Sequence, residues 1–256
     1  MQKKQKEWHE QWMLLQDNER FLFLDWIHPV KLDDFKDKEV LEIGCGGGQH
    51  TAFVAPYAKH LTAVDLNTIE IAKIRNQQAN NISFIEDDIV TMNLNKKFDL
   101  VFSIGVLHHT DNPDQAFENI ATHTKSGGTT IVWVYSKEGN AMVRYMIEPA
   151  RKLLFCHFNR STLLYIAKMI TALMYPFVYS IYKLPLKFLP FYKYFGNFRK
   201  LSFYRNTLNV FDKLNAPQVE FISQERIKKW FIENQYKQIC ITPYMGVSWR
   251  GCGVKI

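Results

Sequence analysis

Residues 40–48, Val-Leu-Glu-Ile-Gly-Cys-Gly-Gly-Gly, decide the fold. An apolar stretch runs through an acid, Glu42, into a G-x-G-x-G loop. Glycines in such a loop allow positive φ angles and let a ligand touch the backbone, and the predicted helix that follows offers free N–H groups. A dinucleotide-binding turn would need a third glycine where Gln49 stands. The pattern therefore favours a different ligand, with a cationic group that Glu42 can hold.

Apolar runs alternate with amphipathic segments from Lys38 to about Ser136, which predicts βαβ units and a parallel sheet. The predicted strands are Val40–Ile43, Leu61–Val64, Ile82–Ile85, Phe98–Phe102 and Thr129–Tyr135, and the helices between them are Gln49–Tyr57, Thr68–Gln78 and Pro113–His123. Helices are also predicted over residues 5–16, Glu19–Ile27 and Gln224–Glu233. Two last strands, Gln238–Tyr244 and Val247–Lys255, are predicted to close the chain.

Polar side chains follow the predicted strands at the edge where ligands of α/β proteins bind. Asp65, 17 residues past Gly48, ends the second strand and can accept hydrogen bonds from ribose hydroxyls. Asp88 follows the third strand and can accept one from an adenine amino group, unless it caps a helix and Asp87 makes that contact. His108 and His109 follow the fourth strand.

Five motifs in order carry a family resemblance: EIGCGGG from Glu42, VDLN from Val64, DDI from Asp87, FDLVFSIGVLHH from Phe98 and SGG from Ser126. Together they resemble the class I methyltransferases that use S-adenosylmethionine (SAM). The resemblance is greatest to the branch with the ubiquinone and menaquinone biosynthesis enzymes and many natural-product and cell-envelope methyltransferases. It covers roughly residues 38–136. It implies a Rossmann-like, doubly wound α/β sheet of seven strands, mostly parallel with an antiparallel C-terminal hairpin.

The resemblance also implies roles for individual residues. SAM would be the cofactor and S-adenosylhomocysteine the product, with no metal required. The cofactor-binding residues would be Glu42, Gly44, Cys45, Gly46, Gly48, Asp65, Leu66, Asp88, Ile89, Ser103 and Ile104. The loop glycines would cradle the methionine part, Asp65 would bind the ribose, and Leu66, Asp88 and Ile89 would surround the adenine.

The acceptor site is less defined by sequence. His108, or alternatively His109, could deprotonate an acceptor as a general base, although either could simply pack or bond to backbone. Arg205, Trp249 and Arg250 are candidate acceptor contacts. Trp8, His9, Trp12 and Phe21 could form a lid or belong to the core. No histidine–cysteine spacing typical of a metal site is present.

The composition changes after the fifth strand. Residues 149–211 contain ten Lys or Arg, no Asp or Glu, and 16 of the 37 aromatic residues. Linkers are poor in aromatics, so we expect a helical insertion, broken by Pro176, Pro185 and Pro190. Leu163–Tyr182 could span a bilayer, lie in its interface or be a buried helix. Cations alternating with aromatics further predict peripheral association with anionic membranes.

The sequence thus predicts four segments: N-terminal helices and a possible lid (1–37), a SAM-binding core (38–136), a basic aromatic insertion that forms the substrate region (137–211), and a C-terminal helix and strands (212–256). We expect methylation, by in-line transfer to oxygen, of a small molecule or a lipid- or glycan-linked acceptor. RNA methylation is an alternative because the chain is basic, with a net charge of +7, and a non-catalytic subunit is another.

Four cysteines without metal or redox spacing and an N-terminus without an apolar segment predict a reduced, cytoplasmic protein, which the basic insertion could make peripheral to the membrane.

Overall fold

The computed structural model describes residues 19–216 and 218–256, so Trp8, His9, Trp12 and the predicted helix over residues 5–16 lie outside the described residues. The chain divides into two compact units. The sheet unit takes the described residues up to Tyr135 together with Gln218–Tyr244 and Ser248–Ile256. The helical unit takes the described residues of Ser136–Pro217 and Met245–Val247.

Seven strands form one sheet in the sheet unit, in the order β3-β2-β1-β4-β5-β7-β6. Their bounds are β1 Glu39–Ile43, β2 His60–Asp65, β3 Ile82–Glu86, β4 Phe98–Ile104, β5 Thr124–Tyr135, β6 Tyr236–Tyr244 and β7 Ser248–Lys255. The first five pair in parallel, whereas β7 pairs antiparallel with both β5 and β6. The predicted mostly parallel seven-stranded sheet with an antiparallel C-terminal hairpin is confirmed.

The described part of the sheet unit contains five α-helices, of which those after β1, β2 and β4 lie where the alternation predicts them. The five are α1 Arg20–Ile27, α2 Gln49–Val54, α3 Ile69–Arg75, α4 Pro113–Thr122 and α9 Gln224–Glu233. Alternate strand residues face opposite sides of the sheet, and they build two cores. Leu41 and Val101 belong to the core that includes Phe117 and Phe231, whereas Val40 and Phe102 belong to the core that includes Phe23 and Phe35.

The helical unit contains α5 Glu148–Leu153, α6 Arg160–Tyr179, α7 Tyr192–Phe198 and α8 Phe203–Asn215. Its predicted helical character is confirmed, but the break predicted at Pro176 is wrong, because α6 continues through that residue to Tyr179. A proline removes its own N–H from the helical ladder and its ring crowds the carbonyl four residues earlier, but at Pro176 these effects fall in the last turn, where only three helical residues follow. The other two prolines do lie between helices. Helix α8 ends at Asn215, beyond residue 211, where the sequence predicts the insertion to end.

Some boundaries differ from those predicted. Strand β5 begins at Thr124, so Ser126–Gly128 lies inside the strand rather than before it. Helices α2 and α3 end three residues earlier than predicted. Thr68 precedes α3, but its side chain makes no capping hydrogen bond. Its hydroxyl instead donates to the carbonyl oxygen of Gly46, 2.7 Å away, so this residue supports the glycine loop.

Candidate cofactor and acceptor site

The glycine loop joins β1 to α2 at the carboxyl end of the sheet. Gly44, Gly46 and Gly48 have φ angles of +75°, +53° and +77°, a region that favours glycine. The N–H groups of Gly44 and Cys45 donate to the carbonyl of Val64 at 2.8 and 3.1 Å, and that of Gly48 donates to Cys45 at 2.9 Å. The loop is thereby tied to the end of β2.

Packing explains two of the three glycines independently of any ligand. A Cβ atom on Gly44 would lie 2.3 Å from Cγ2 of Val106. One on Gly48 would lie 2.5 Å from Nδ2 of Asn76 and 2.9 Å from Cα of Ala72. Asn76 also donates to the carbonyl of Gly48 at 2.9 Å. Both glycines therefore let the loop pack closely against its neighbours.

Asp65 lies beside this loop, at the end of β2. Its Oδ2 accepts a hydrogen bond from the N–H of Gly46 at 2.9 Å, and its Oδ1 accepts one from Asn67 at 3.3 Å. The next residue, Leu66, leaves 39% of its surface exposed. The carboxylate of Asp65 thus fixes the loop and is half-buried, so it remains within reach of solvent or a ligand.

Glu42 is a buried acid at the end of β1. The hydroxyl of Thr51 donates to its Oε2 at 2.5 Å, and Nδ1 of His50 lies 4.0 Å from its Oε1. That Oε1 has no hydrogen-bond partner among the described residues. Burial is the main cause that raises the pKa of Glu42 to about 8; the nearby Asp65 raises it further, and the Thr51 hydroxyl opposes the shift. A cationic ligand group would favour the ionised form.

The residues after β3 form a short turn. The N–H of Asp88 donates to Oδ1 of Asp87 at 2.7 Å, and Oδ1 of Asp88 accepts from the N–H of Val90 at 2.9 Å. Asp88 is exposed, whereas Ile89 is buried in the core. Asp88 therefore organises a turn and still presents its carboxylate to solvent, as an adenine contact requires.

The ends of β1, β4 and β5 share an unusual property. In the described part of the sheet unit, buried side-chain nitrogen and oxygen atoms without a hydrogen-bond partner belong to four residues, Glu42, Ser103, His108 and Trp133. Ser103 is on β4, next to the buried Ile104, whose register partner on β5 is Trp133. Leaving such a group unpaired costs about 1–3 kcal/mol. Their concentration at one edge makes this edge the candidate ligand-binding site.

His108 and His109 differ in their environments. His108 is fully buried within a single helical turn, and its ring centre lies 4.3 Å from that of Tyr135. Burial, with a smaller contribution from His109, lowers the pKa of His108 well below its usual value. Nδ1 of His109 lies 2.7 Å from the carbonyl oxygen of Gln218. Since a carbonyl only accepts, this nitrogen of His109 carries a proton.

The predicted acceptor contacts lie in different parts of the molecule. Trp249 is buried in a core of the sheet unit. Arg250 donates from NH1 to the carbonyl of Asp25 at 2.9 Å and from Nε to Thr242 at 3.1 Å, so its guanidinium joins β7 to β6 and α1. Arg205 lies on α8 in the helical unit. The possible lid residue Phe21 is half-buried on α1.

Sequence reasoning missed four residues of the site: Thr51 on Glu42, Thr68 and Asn76 on the glycine loop, and the indole of Trp133. The first three form hydrogen bonds to residues at least nine positions away in the chain, and no local pattern marks any of the four. Among the described residues no group of three or more His, Cys, Asp or Glu side chains is arranged to hold a metal ion.

Comparisons with known proteins identify similarity to methyltransferases. Residues 41–132 match a family described as "Methyltransferase domain". The ubiquinone biosynthesis O-methyltransferase of Rickettsia canadensis is 26% identical over 137 residues, covering 48% of this chain and 58% of that protein. Nodulation protein S of Azorhizobium caulinodans is 34% identical over 111 residues, covering 41% of this chain and 52% of that protein. The chain thus spans between half and three fifths of the length of these relatives.

A solved structure shows the same fold. The N-methyltransferase NodS of Bradyrhizobium japonicum WM9, in complex with S-adenosyl-L-homocysteine, superposes with a TM-score of 0.53. The alignment has 14% sequence identity and covers 97% of this chain and 98% of the other.

Proposed function

We propose that this chain transfers the methyl group of SAM to a hydroxyl group, since its residues 41–132 match a methyltransferase domain of the class I, SAM-dependent type. The acceptor would be a small molecule or a lipid- or glycan-linked compound, and the product S-adenosylhomocysteine. The observation that carries the proposal is the set of four buried polar side chains without partners at adjacent strand ends. Ligand groups that pair with them would remove a desolvation penalty.

The residues present fit SAM. Its amino group is a cation that matches the unpaired Oε1 of Glu42. Each carboxylate oxygen of Asp65 accepts one backbone hydrogen bond and has a second lone pair for a ribose hydroxyl. The loop from Gly44 to Gly48 would hold the methionine part, with Cys45 and the backbone of Ser103 and Ile104 beside it. Leu66, Asp88 and Ile89 would enclose the adenine.

SAM, when bound, supplies a methyl group on a positively charged sulfur, ready for in-line displacement by a nucleophile. The protein's main task is then alignment, which can be worth effective molarities of ~10⁵–10⁸ M. A hydroxyl acceptor must also lose a proton. His108 supports this step, because its lowered pKa keeps the imidazole neutral and its ring nitrogens have no other partner in the described chain. A positioned base adds roughly 10²–10⁴-fold.

Two further features support an apolar or planar acceptor. The rings of Trp26, Trp133, Tyr135 and His108 form a continuous cluster, with Trp26 and Trp133 centred 4.9 Å apart. The indole N–H of Trp133 is a buried donor for an acceptor oxygen.

The curated relatives include an O-methyltransferase by name, whereas the solved structure is of an N-methyltransferase. These names therefore do not decide between oxygen and nitrogen, and the proposal of oxygen rests on the histidine.

The first test is binding. Calorimetry should detect SAM and S-adenosylhomocysteine with the intact protein, and Asp65→Ala should lose the signal. Asp33→Ala, an exposed acid outside the loop, is the matched control and should bind normally. Undiminished binding by Asp65→Ala would refute the assigned cofactor site.

The second test is transfer. Radiolabelled methyl groups from SAM should enter quinol precursors or polyprenyl-linked glycans, and mass spectrometry should locate them on oxygen. Labelling of transfer RNA instead would establish the RNA alternative. Binding of SAM without transfer to any of these acceptors would favour a non-catalytic subunit.

A further inference from the structure

Helix α6 (Arg160–Tyr179) has two apolar faces. One face is buried within the helical unit through Leu163, Ala167, Thr171 and Val178. Leu163 and Ala167 pack in one core with Phe211 and Leu214 of α8, and the hydroxyl of Thr171 is satisfied by the carbonyl of Ala167 at 2.8 Å. This face is an ordinary helix–helix contact.

The other face of α6 is apolar as well, but exposed. Tyr165, Met169, Leu173 and Phe177 recur every four residues, which places them side by side along the helix. They leave 64%, 46%, 67% and 59% of their surfaces exposed. We call this set the exposed stripe. Contiguous apolar surface of this kind marks interaction sites, whereas scattered single residues do not.

The chain that follows α6 also exposes large apolar side chains. Ile181, Leu184 and Phe188 are exposed, the last by 80% of its surface. Lys183 and Lys187 alternate with them and are exposed too. Lys168 lies on α6 itself, adjacent in sequence to Met169 of the stripe. Since residues 149–211 contain no acid, nothing within this stretch offsets the positive charge.

We propose that the exposed stripe and residues 181–188 dock on an anionic lipid surface, with α6 lying in the plane of the interface. Large apolar side chains would enter the acyl boundary while the lysines face lipid phosphates, the arrangement of interfacial amphipathic helices. Aromatic residues and lysine both favour that depth. The surface belongs to the helical unit alone, so this inference does not rest on the proposed methyl transfer.

The contacts of α6 favour this orientation over a membrane span. The helix is long and apolar enough to cross a membrane, with a mean hydropathy of 1.4 in its most apolar window. A span would have to expose the Leu163 and Ala167 face to lipid, leaving Phe211 and Leu214 uncovered, and would place Lys168 within the bilayer at a cost of about 3 kcal/mol.

Charge also argues against a second copy of the chain as the partner. Two such surfaces would bring Lys168, Lys183 and Lys187 of one copy towards the same lysines of the other, and like charges repel. An anionic membrane provides both the apolar interior and the opposite charge, and each exposed lysine strengthens the attraction.

Vesicle flotation tests the proposal with the full-length protein. It should float with phosphatidylcholine vesicles containing phosphatidylglycerol at low salt and detach at high salt, and it should not float with phosphatidylcholine alone. Leu173→Glu should abolish flotation. Its matched control is Ile232→Glu, which places the same charge at an exposed isoleucine (55%) on α9 of the sheet unit. Circular dichroism and thermal melting verify that both variants fold.

The lysines are tested separately. The double variant Lys183→Gln/Lys187→Gln should lower partitioning about 10- to 30-fold. The control Lys36→Gln/Lys228→Gln removes the same charge from exposed positions of the sheet unit and should change it little.

Four outcomes would overturn the proposal. The first is no flotation of the intact protein with anionic vesicles at low salt, and the second is full flotation of folded Leu173→Glu. The third is a dimer in sedimentation that Leu173→Glu dissociates, which would make the stripe a self-association surface. The last is protein that stays with the vesicles through both high salt and alkaline carbonate, which would indicate a membrane-spanning helix.

Discussion

At the scale of single residues, burial of the Glu42 carboxyl makes the stability of the protein depend on pH. Its pKa of about 8 means that the folded protein retains a proton that the unfolded chain, with a value near 4.5, has lost. The stability contribution is therefore present at low pH and is lost as pH rises from 4.5 through 8. Over that interval the free energy of unfolding should fall by up to about 1.4 kcal/mol per pH unit. Glu42→Gln should flatten this slope in urea unfolding; an unchanged slope would assign it to other groups.

The same residue makes SAM binding dependent on pH. Only the ionised carboxylate attracts the ligand's amino group, so binding releases a proton and affinity should rise as pH approaches 8. Glu42→Gln should weaken SAM about 10- to 100-fold at pH 8 and remove the pH dependence. Glu118→Gln, an exposed acid on α4, is the control. Calorimetry in two buffers of different ionisation enthalpy measures the proton released, and equal heats would contradict the assignment.

Substitution of His108 should lower activity without lowering stability. Its ring nitrogens are buried and without partners in the described chain, so replacement by an apolar ring removes no hydrogen bond. His108→Phe should leave the melting temperature unchanged or raise it, while kcat falls ~10²-fold or more and SAM affinity changes little. His123→Phe is the contrast, because both ring nitrogens of that buried histidine are hydrogen-bonded and the variant should be destabilised. Loss of stability in His108→Phe with normal kcat would mean a structural role.

At the scale of the elements, two glycines with the same φ angle distinguish the cost of backbone strain from the cost of close packing. Gly48 and Gly127 share a φ of +77°, but a Cβ on Gly48 would meet Ala72 and Asn76 whereas one on Gly127 would meet nothing within 4 Å. Gly127→Ala should therefore lose only about 1 kcal/mol of stability. Gly48→Ala should lose about 2–4 kcal/mol and most SAM affinity. Equal losses in denaturant titrations would show that packing contributes nothing at Gly48.

The same elements show how far the sequence could predict this molecule. The Gly44–Gly48 loop and the acids after β2 and β3 were predictable because each is set by a local strand–turn–helix pattern. The start of β5 was not, since Gly127 and Gly128 are typical of turns and only pairing with β4 and β7 keeps them in a strand. Long-range partners such as Thr51 on Glu42, and the unpaired indole of Trp133, likewise depend on tertiary structure.

At the scale of the whole molecule, the predicted cofactor-binding residues and the basic aromatic stretch belong to different units. The residues predicted to bind SAM all belong to the sheet unit, whereas residues 149–211, with a net charge of +10, belong to the helical unit. The insertion leaves and re-enters the sheet unit at neighbouring points, because the N–H of Ile222 donates to the carbonyl of Tyr135 at 2.9 Å. A short linker can therefore replace the insertion without straining either end.

Because the two ends of the insertion are close together, we expect the sheet unit to fold without it. A variant in which a short Gly-Ser linker replaces residues 137–217 should keep the sheet folded and bind SAM within a few-fold of the intact protein, because the cofactor residues remain. It should lose methyl transfer and vesicle flotation together, because the sequence predicts that the insertion forms the substrate region and the proposed lipid-binding surface lies on it. Calorimetry measures the first property, and labelling and flotation measure the second. Asp65→Ala in the same shortened chain should again abolish binding, which controls for non-specific heat. A folded, shortened chain that no longer binds SAM would show that the helical unit contributes to the cofactor site, and retained flotation would move the lipid-binding surface to the sheet unit.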